Sequence, residues 1–338
     1  MNILAVESSC DETAVAIVKD GREVLTDCIA SQVALHRIYG GVVPEIASRM
    51  HIEAIYGLAD QALKQANVTR DQIDAVAVTY APGLIGAVLV GVNFAKAAAL
   101  ALNKPLIPVH HIRGHIAANY LADAELKPPF LCLVVSGGHT MLIDVKDYTQ
   151  MEILGTTLDD AAGGCFDKVA RVLGMPYPGG AALDKAAALG DETKYTLPRS
   201  KAGQNPYDMS FSGLKTAALN LIHHADQVGE QLDVNSLCAA FSSAVSDTLI
   251  PRTVQALHQT GYKTLAVAGG VAANSRIRHD ILSAAEEMGV KVCLPPLSLC
   301  GDNAAMIGSQ AYYEYLAGNI ADMSLNAYAT KSLLGESL

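Results

Sequence analysis

Tryptophan is absent from this chain, and aromatic residues make up only 5% of it. The apolar half of the sequence therefore consists mainly of small aliphatic side chains, as in α/β layers where helices pack closely on a sheet. Cysteine is present without a pairing pattern. Cys10, Cys28, Cys132, Cys165, Cys238, Cys293 and Cys300 form no CxxC pair and are odd in number. That argues against a disulfide framework or a zinc finger and points to reduced thiols in the cytoplasm. The opening stretch, MNILAVESSCDETAVAIV, has no positively charged region ahead of its apolar residues, so no secretory signal is expected. Basic charge is also in deficit. A formal net charge of −10 disfavours broad, unassisted nucleic-acid binding, while leaving room for a local patch or one supplied by a partner. Long hydrophobic runs are missing apart from LIGAVLVGVNFAKAAALAL, Leu84 to Leu102. Asn93 and Lys96 within it favour a buried helix of a soluble protein over a membrane span.

What is there repeats itself. At 338 residues the chain is long enough for two domains. The first half opens strand–polar turn–strand over NILAVESSCDETAVAIV, and FLCLVVSGGHTMLIDV, Phe130 to Val145, restates that grammar. Each half later runs a strand into a glycine turn and a helix: DAVAVTYAPGLIGAVLVG, Asp74 to Gly91, and KTLAVAGGVAANSRIR, Lys263 to Arg278. Helix-length segments lie between, at 44–66, 158–173 and 236–259. Two copies of a βββαβα-like layout predict two lobes around a central cleft. We place the first at 1–125 with a returning segment 308–338, and the second at 126–307 with a polar, lid-like insertion at 190–215.

The two strand-connecting turns carry the chemistry. SSCDET crowds Ser8, Ser9, Asp11, Glu12 and Thr13 at a hairpin tip. Such carboxylates repel bare phosphate, so they fit a bound divalent cation or the polarising of a water or amine. In SGGHT, Ser136 starts a turn whose Gly137 and Gly138 let backbone amides approach an anion closely. AGGVAANSRIR ends a strand at Gly269 and Gly270 and starts a helix near Asn274, a place for ribose or phosphate. YPGGAALDKAA adds Gly180 and Asp184, and AAGGCFDKVA adds Asp167; for either aspartate alone a surface ion pair is the better reading. Neither a Walker A sequence nor GxGxxG occurs, which disfavours P-loop and Rossmann-type binding.

PVHHIRGH places His111 and His115 four residues apart, on one face of a helix. A zinc peptidase of the HExxH type needs a glutamate beside the first histidine. Ile112 stands there, so that reading fails. A metal pair survives if a third ligand is found, and Asp302 in LCGDNAAM, Cys300 and His139 compete for the place.

ESSCDET, SQVALHRIYGGVVPEIASRMH, APGLIGAVLVG, PVHHIRGH, VVSGGHT, FDKVARVLG, YPGG, FSGLKT, AGGVAAN and GDNAAMI follow one another along nearly the whole chain. In that order they resemble the bacterial TsaD family, formerly called O-sialoglycoprotein endopeptidases. The resemblance implies the duplicated actin/Hsp70/sugar-kinase (ASKHA) fold. It also implies transfer of threonylcarbamoyl from threonylcarbamoyl-AMP to the exocyclic amine of the adenosine 3′ of the anticodon in ANN-decoding tRNA, releasing AMP. By the same resemblance the metal ligands are His111, His115 and Asp302. The adenylate-binding residues are Val134, Val135, Ser136, Gly137, Gly138, Asp167, Gly180, Asp184 and Asn274. One divalent metal per subunit is expected, Fe2+ ahead of Zn2+ or Mg2+, and Asp11 or Glu12 is the expected proton acceptor. A TsaB-like paralogue and a TsaE-like ATPase are the expected partners, in the cytoplasm. Val134 stands where archaeal and eukaryotic relatives carry an additional tyrosine ligand. An ATP-dependent kinase or ATPase of the same fold and a non-catalytic nucleotide-binding scaffold are the competing classes; neither calls for a histidine pair.

Overall fold

The computed structural model describes residues 1–200 and 203–334. Residues 201–202 of the 190–215 insertion, with Lys201 among them, and residues 335–338 of the returning segment lie outside the described residues. The chain divides into two compact units. One holds residues 1–128, 146–151 and 295–338, and the other 129–145 and 152–294.

The first unit begins with strands β1 (Asn2–Glu7), β2 (Glu12–Lys19) and β3 (Glu23–Ser31), followed by α1 (Val33–His36) and α2 (Pro44–Ala66). Next come β4 (Ala75–Ala81), α3 (Ile85–Leu102), β5 (Leu106–His110) and α4 (His111–Ala122). The sheet order is β3-β2-β1-β4-β5, with β1 antiparallel to β2 and parallel to β4. β1 reads as an uninterrupted apolar run because both of its faces are covered. Leu4 and Val6 join a core with Ile55, Leu58, Val88 and Val92 of α2 and α3. Ile3 and Ala5 point to the other face and join Ala118 of α4 and Met306, Ile307 and Ala311 further along the chain.

The second unit repeats this plan. β6 (Phe130–Val135), β7 (Thr140–Val145) and β8 (Met151–Thr156) lead into α5 (Ala162–Val172), α6 (Gly179–Ala187), α7 (Ser212–Val228) and α8 (Val234–Thr260). β9 (Thr264–Ala268), α9 (Ser275–Glu287) and β10 (Lys291–Cys293) complete it. Its sheet order, β10-β9-β6-β7-β8, is that of the first sheet read from the other edge, with β6 again antiparallel to one hairpin partner and parallel to β9. The duplication expected from the hydropathy grammar is present strand for strand.

α10 (Leu297–Cys300) and α11 (Ala304–Leu316) return to the first unit. The tail then runs along β4 and β5: Ala321 N–H donates to Leu106 O, and Tyr328 N–H to Tyr80 O, each at 2.9 Å. α3 is the one described helix long and apolar enough to cross a membrane. Its Ala87, Val88, Gly91, Val92, Ala95 and Ala99 are buried and form the face that packs on the core.

Candidate functional site

The three consecutive features of VHHIRGH do different jobs. β5 ends at His110, whose Nδ1 accepts from Ile112 N–H at 3.3 Å and so caps α4; its Nε2 faces Lys331 O at 3.1 Å. The first histidine is therefore a helix cap. One turn of α4 then brings His111 and His115 together, edge to face, with ring centroids 4.6 Å apart. Asp302 arrives from the loop ahead of α11, which Asn303 caps by accepting from Met306 N–H at 2.8 Å. Asp302 Oδ1 lies 3.5 Å from His111 Nε2 and 3.3 Å from His115 Nε2. Gly114 permits this approach of the two helices, because a Cβ there would sit 2.6 Å from Ile307 Cδ1.

One ligand atom from each of His111, His115 and Asp302 lies within 4.8 Å of the others. Of the competitors, Cys300 Sγ instead donates to the Pro295 and Pro296 carbonyls, and His139 closes the β6–β7 turn of the second unit. His115 is 1% exposed, yet neither ring nitrogen makes a hydrogen bond among the described residues. An orphaned buried imidazole is costly unless something binds it. Two imidazoles and a carboxylate suit a divalent cation.

Behind the cluster lies a residue that sequence reasoning missed. Glu7 ends β1 and is fully buried. Its Oε1 accepts from Ser9 N–H at 2.5 Å, and its Oε2 from Thr79 Oγ1 at 2.5 Å and His111 Nδ1 at 3.1 Å. Burial pushes the Glu7 carboxyl up, but His111 and Ser9 outweigh it and hold it below the ordinary value. Burial likewise disfavours the His111 cation, while Asp302 and Glu7 lift it to about 9. The sequence signal was a lone acid closing the apolar run NILAV.

The SSCDET turn is propped by a second overlooked residue. His51 of α2 takes Thr13 Oγ1 on Nδ1 at 2.7 Å and faces Cys10 O through Nε2 at 2.9 Å. Asp11 is 5% exposed and is hydrogen-bonded to the Glu12 side chain. Burial, then the Asp11 and Asp302 charges, push Glu12 up to about 9, against a hydrogen bond from Ser31 Oγ at 3.0 Å. Burial and the same carboxylates push the Cys10 thiol far up, leaving it a poor nucleophile. All seven cysteines are free thiols.

The remaining sequence-predicted residues gather in the second unit. Val134 and Val135 lie in β6 with fully buried side chains. The turn after them is closed by Ser136 N–H donating to His139 O at 2.7 Å, and Gly137 and Gly138 are exposed with open space in front. Asp167 Oδ1 accepts from Gly179 and Gly180 N–H at 2.8 and 3.1 Å, holding the start of α6. Asp184, one turn into α6, accepts from Ser275 Oγ at 2.8 Å and its N–H at 3.2 Å, holding the start of α9. Asn274 caps that same helix through Ile277 N–H at 3.1 Å. The two aspartates and the asparagine thus fasten the N-termini of α6 and α9. Of these three residues Asp184 lines a cavity of about 330 Å³, with Ser242, Ser275, Arg276 and His279 among its other walls.

The fold defines the class first. Full-length HypF in its phosphate- and nucleotide-bound form matches 98% of this chain and 47% of its own length, with a TM-score of 0.60 at 16% identity. Component A of the Acidaminococcus fermentans (R)-2-hydroxyglutaryl-CoA dehydratase matches over 94% and 99%, with a TM-score of 0.54 at 15% identity. The chain thus has an ASKHA-type α/β fold, as the TsaD resemblance implies. The sequence then gives the family. The TsaD family model, described as tRNA N6-adenosine threonylcarbamoyltransferase, matches residues 23–309. A protein of that name from Moorella thermoacetica (strain ATCC 39073 / JCM 9320) is 54% identical over 96% of this chain and 95% of its own. Another from Clostridium botulinum (strain Kyoto / Type A2) is 50% identical over 97% and 96%. This chain belongs to the TsaD family.

Proposed function

We infer that the chain is an enzyme that transfers threonylcarbamoyl from threonylcarbamoyl-adenylate to the N6 amine of the adenosine 3′ of the anticodon in ANN-decoding tRNA. The observation that carries this reading is 54% identity to a named transferase across 96% of the chain. The His111–His115–Asp302 cluster, for which the fold alone has no use, supports it.

In the reaction the adenine nitrogen bonds to the carbamoyl carbon, the bond from that carbon to the phosphate oxygen breaks, and AMP leaves. The donor is an activated mixed anhydride, so the leaving group is good. The adenine amine is a poor nucleophile, and positioning and charge stabilisation are what the protein must add. The amides of Gly137 and Gly138 take the phosphate oxygens from a turn that already leaves them open. Ser136, Asp167, Gly180, Asp184 and Asn274 hold the rest of the adenylate, and Val134 and Val135 form the strand end that carries the turn. The Asp11–Glu12 pair receives the amine proton. Burial and the Asp11 and Asp302 charges lift Glu12 to about 9, which makes it the more readily protonated member of the pair. His111, His115 and Asp302 would hold one divalent cation, Fe2+ before Zn2+ or Mg2+, which supplies Lewis-acid charge when bound.

A chain of net charge −10 gains from help in holding tRNA, which favours the TsaB-like and TsaE-like partners and a cytoplasmic complex. The helix spanning 43–63 is the proposed partner surface. The test supplies purified chain, both partners, synthetic threonylcarbamoyl-adenylate and unmodified tRNA, and reads the nucleosides by mass spectrometry. Threonylcarbamoyladenosine is expected. Its absence, or phosphoryl transfer from ATP in its place, would overturn the reading.

A further inference from the structure

A carboxylate at 0% exposure on the central strand of a sheet needs a reason, since an ionised group so placed costs several kcal/mol unless fully partnered. Glu7 is partnered by three donors from three separate elements: Ser9 N–H of the β1–β2 turn, Thr79 Oγ1 of β4, and His111 of α4. Ionised carboxylate accepts only, so His111 must present Nδ1 as N–H. In the neutral ring that binds a cation, the proton is thereby assigned to the nitrogen remote from Asp302, and the lone pair falls on Nε2, the atom facing Asp302 Oδ1. His115 has no equivalent: its Nδ1 is unpartnered among the described residues. The two histidines of the pair are therefore unlike, one preset from behind and one not.

We propose that Glu7 is the positioning residue of the metal centre, fixing through Nδ1 the tautomer and ring orientation in which His111 offers Nε2 to a divalent cation, with Thr79 orienting the Glu7 carboxylate. The proposal rests on the metal reading of His111, His115 and Asp302. The arrangement is a carboxylate–histidine–metal relay, in which the outer partner contributes as much as tenfold to hundredfold to affinity.

Glutamine cannot stand in for it. An amide presents one acceptor and one donor end. If its oxygen stays on Ser9 N–H, its NH2 faces His111 Nδ1 and drives the ring proton onto Nε2, the ligand atom. If it flips, NH2 meets the Ser9 N–H. Ser9 Oγ, 3.3 Å from His111 Nδ1, is a further group beside that nitrogen, and it is a weaker acceptor than a carboxylate.

The test uses the full chain with Zn2+ as the probe, titrated against a chelating dye, alongside 15N NMR of the histidine ring nitrogens. Glu7→Gln is expected to bind Zn2+ about tenfold to hundredfold more weakly and, at a pH where the ring is neutral in both proteins, to shift His111 toward the Nε2–H tautomer. Thr79→Val removes one oriented donor and is expected to weaken binding by a smaller factor, about three- to tenfold, which keeps the proposal open to refutation should Glu7→Gln not fold. Zn2+ affinity and His111 tautomer unchanged in Glu7→Gln, or affinity unchanged in Thr79→Val where Glu7→Gln does not fold, would overturn it. His111→Ala separates the two levels. If it abolishes binding while Glu7→Gln leaves Zn2+ affinity unchanged, only the Glu7 role fails. If His111→Ala leaves binding intact, the metal reading fails with it.

Discussion

His115→Leu should make the metal-depleted protein more stable while destroying its metal site. The imidazole is 1% exposed and its Nδ1 and Nε2 both lack hydrogen bonds among the described residues. Each unsatisfied buried polar group costs about 1–3 kcal/mol. The charge of Asp302, 3.3 Å from Nε2, offsets part of one of these. Leucine has nearly the same volume, and repacking it costs less than about 1.5 kcal/mol. The net is a gain of roughly 1–2 kcal/mol, or a few degrees in the unfolding midpoint. Metal reverses the order. At a hundredfold excess over Kd a ligand of the folded state adds about 2.7 kcal/mol, and only the wild type can collect it. Thermal unfolding of both proteins, with chelator and with Zn2+, should therefore show the two rankings cross. A variant less stable than wild type in chelator, or one that still gains from Zn2+, would show that His115 is satisfied by the fold and is no ligand.

Asp27 of β3 gives a pH signature. Burial pushes it up to about 6, against hydrogen bonds from the Ala304 and Ala305 amides. Because the folded value lies above the ordinary 3.8, the folded state holds the proton longer. Its contribution is complete below about pH 4 and is lost as pH rises through 6, roughly 3 kcal/mol in all. Asp27→Asn keeps an acceptor for the amides, so urea unfolding should show no difference from wild type at pH 4 and a more stable variant at pH 7; a difference independent of pH would contradict this. Gly269 has φ +92°, and a Cβ there would lie 2.5 Å from Val135 O where β9 and β6 end together. Gly269→Ala should cost roughly 2 kcal/mol or more in unfolding experiments and leave Zn2+ affinity as it was. Asp184→Ala frees the Ser275 amide and hydroxyl, and calorimetry should find AMP bound about tenfold more weakly with metal content unchanged.

The duplicated fold was legible because strand period and turn chemistry recur in each half: NILAV with its hairpin, FLCLVV with its hairpin, then strand–glycine–helix twice. The βββαβα-like layout left out the last strand of each sheet, β5 and β10, which are five and three residues long and carried too little signal to be read. That His111 and His115 share one helix face was legible from four-residue spacing, while their role as a metal pair came from the family resemblance. Asp302 was one of three candidates for the third position, since which of them approaches α4 depends on how α11 packs. Glu7, Thr79 and His51 were not read, because their roles come from partners 104, 72 and 38 residues away. Asp167 and Asp184 looked like surface ion-pair residues when taken singly. The helix starts they hold belong to other segments, which spacing cannot reveal.

The most direct measurement is metal content, by elemental analysis, of the purified full chain beside His111→Ala and Asp302→Ala, each checked for intact fold by circular dichroism. The account predicts close to one equivalent of divalent metal in the wild type and little in either variant, with threonylcarbamoyladenosine formation lost in step. Equal metal in all three proteins, or full transfer activity in a metal-free variant, would contradict it.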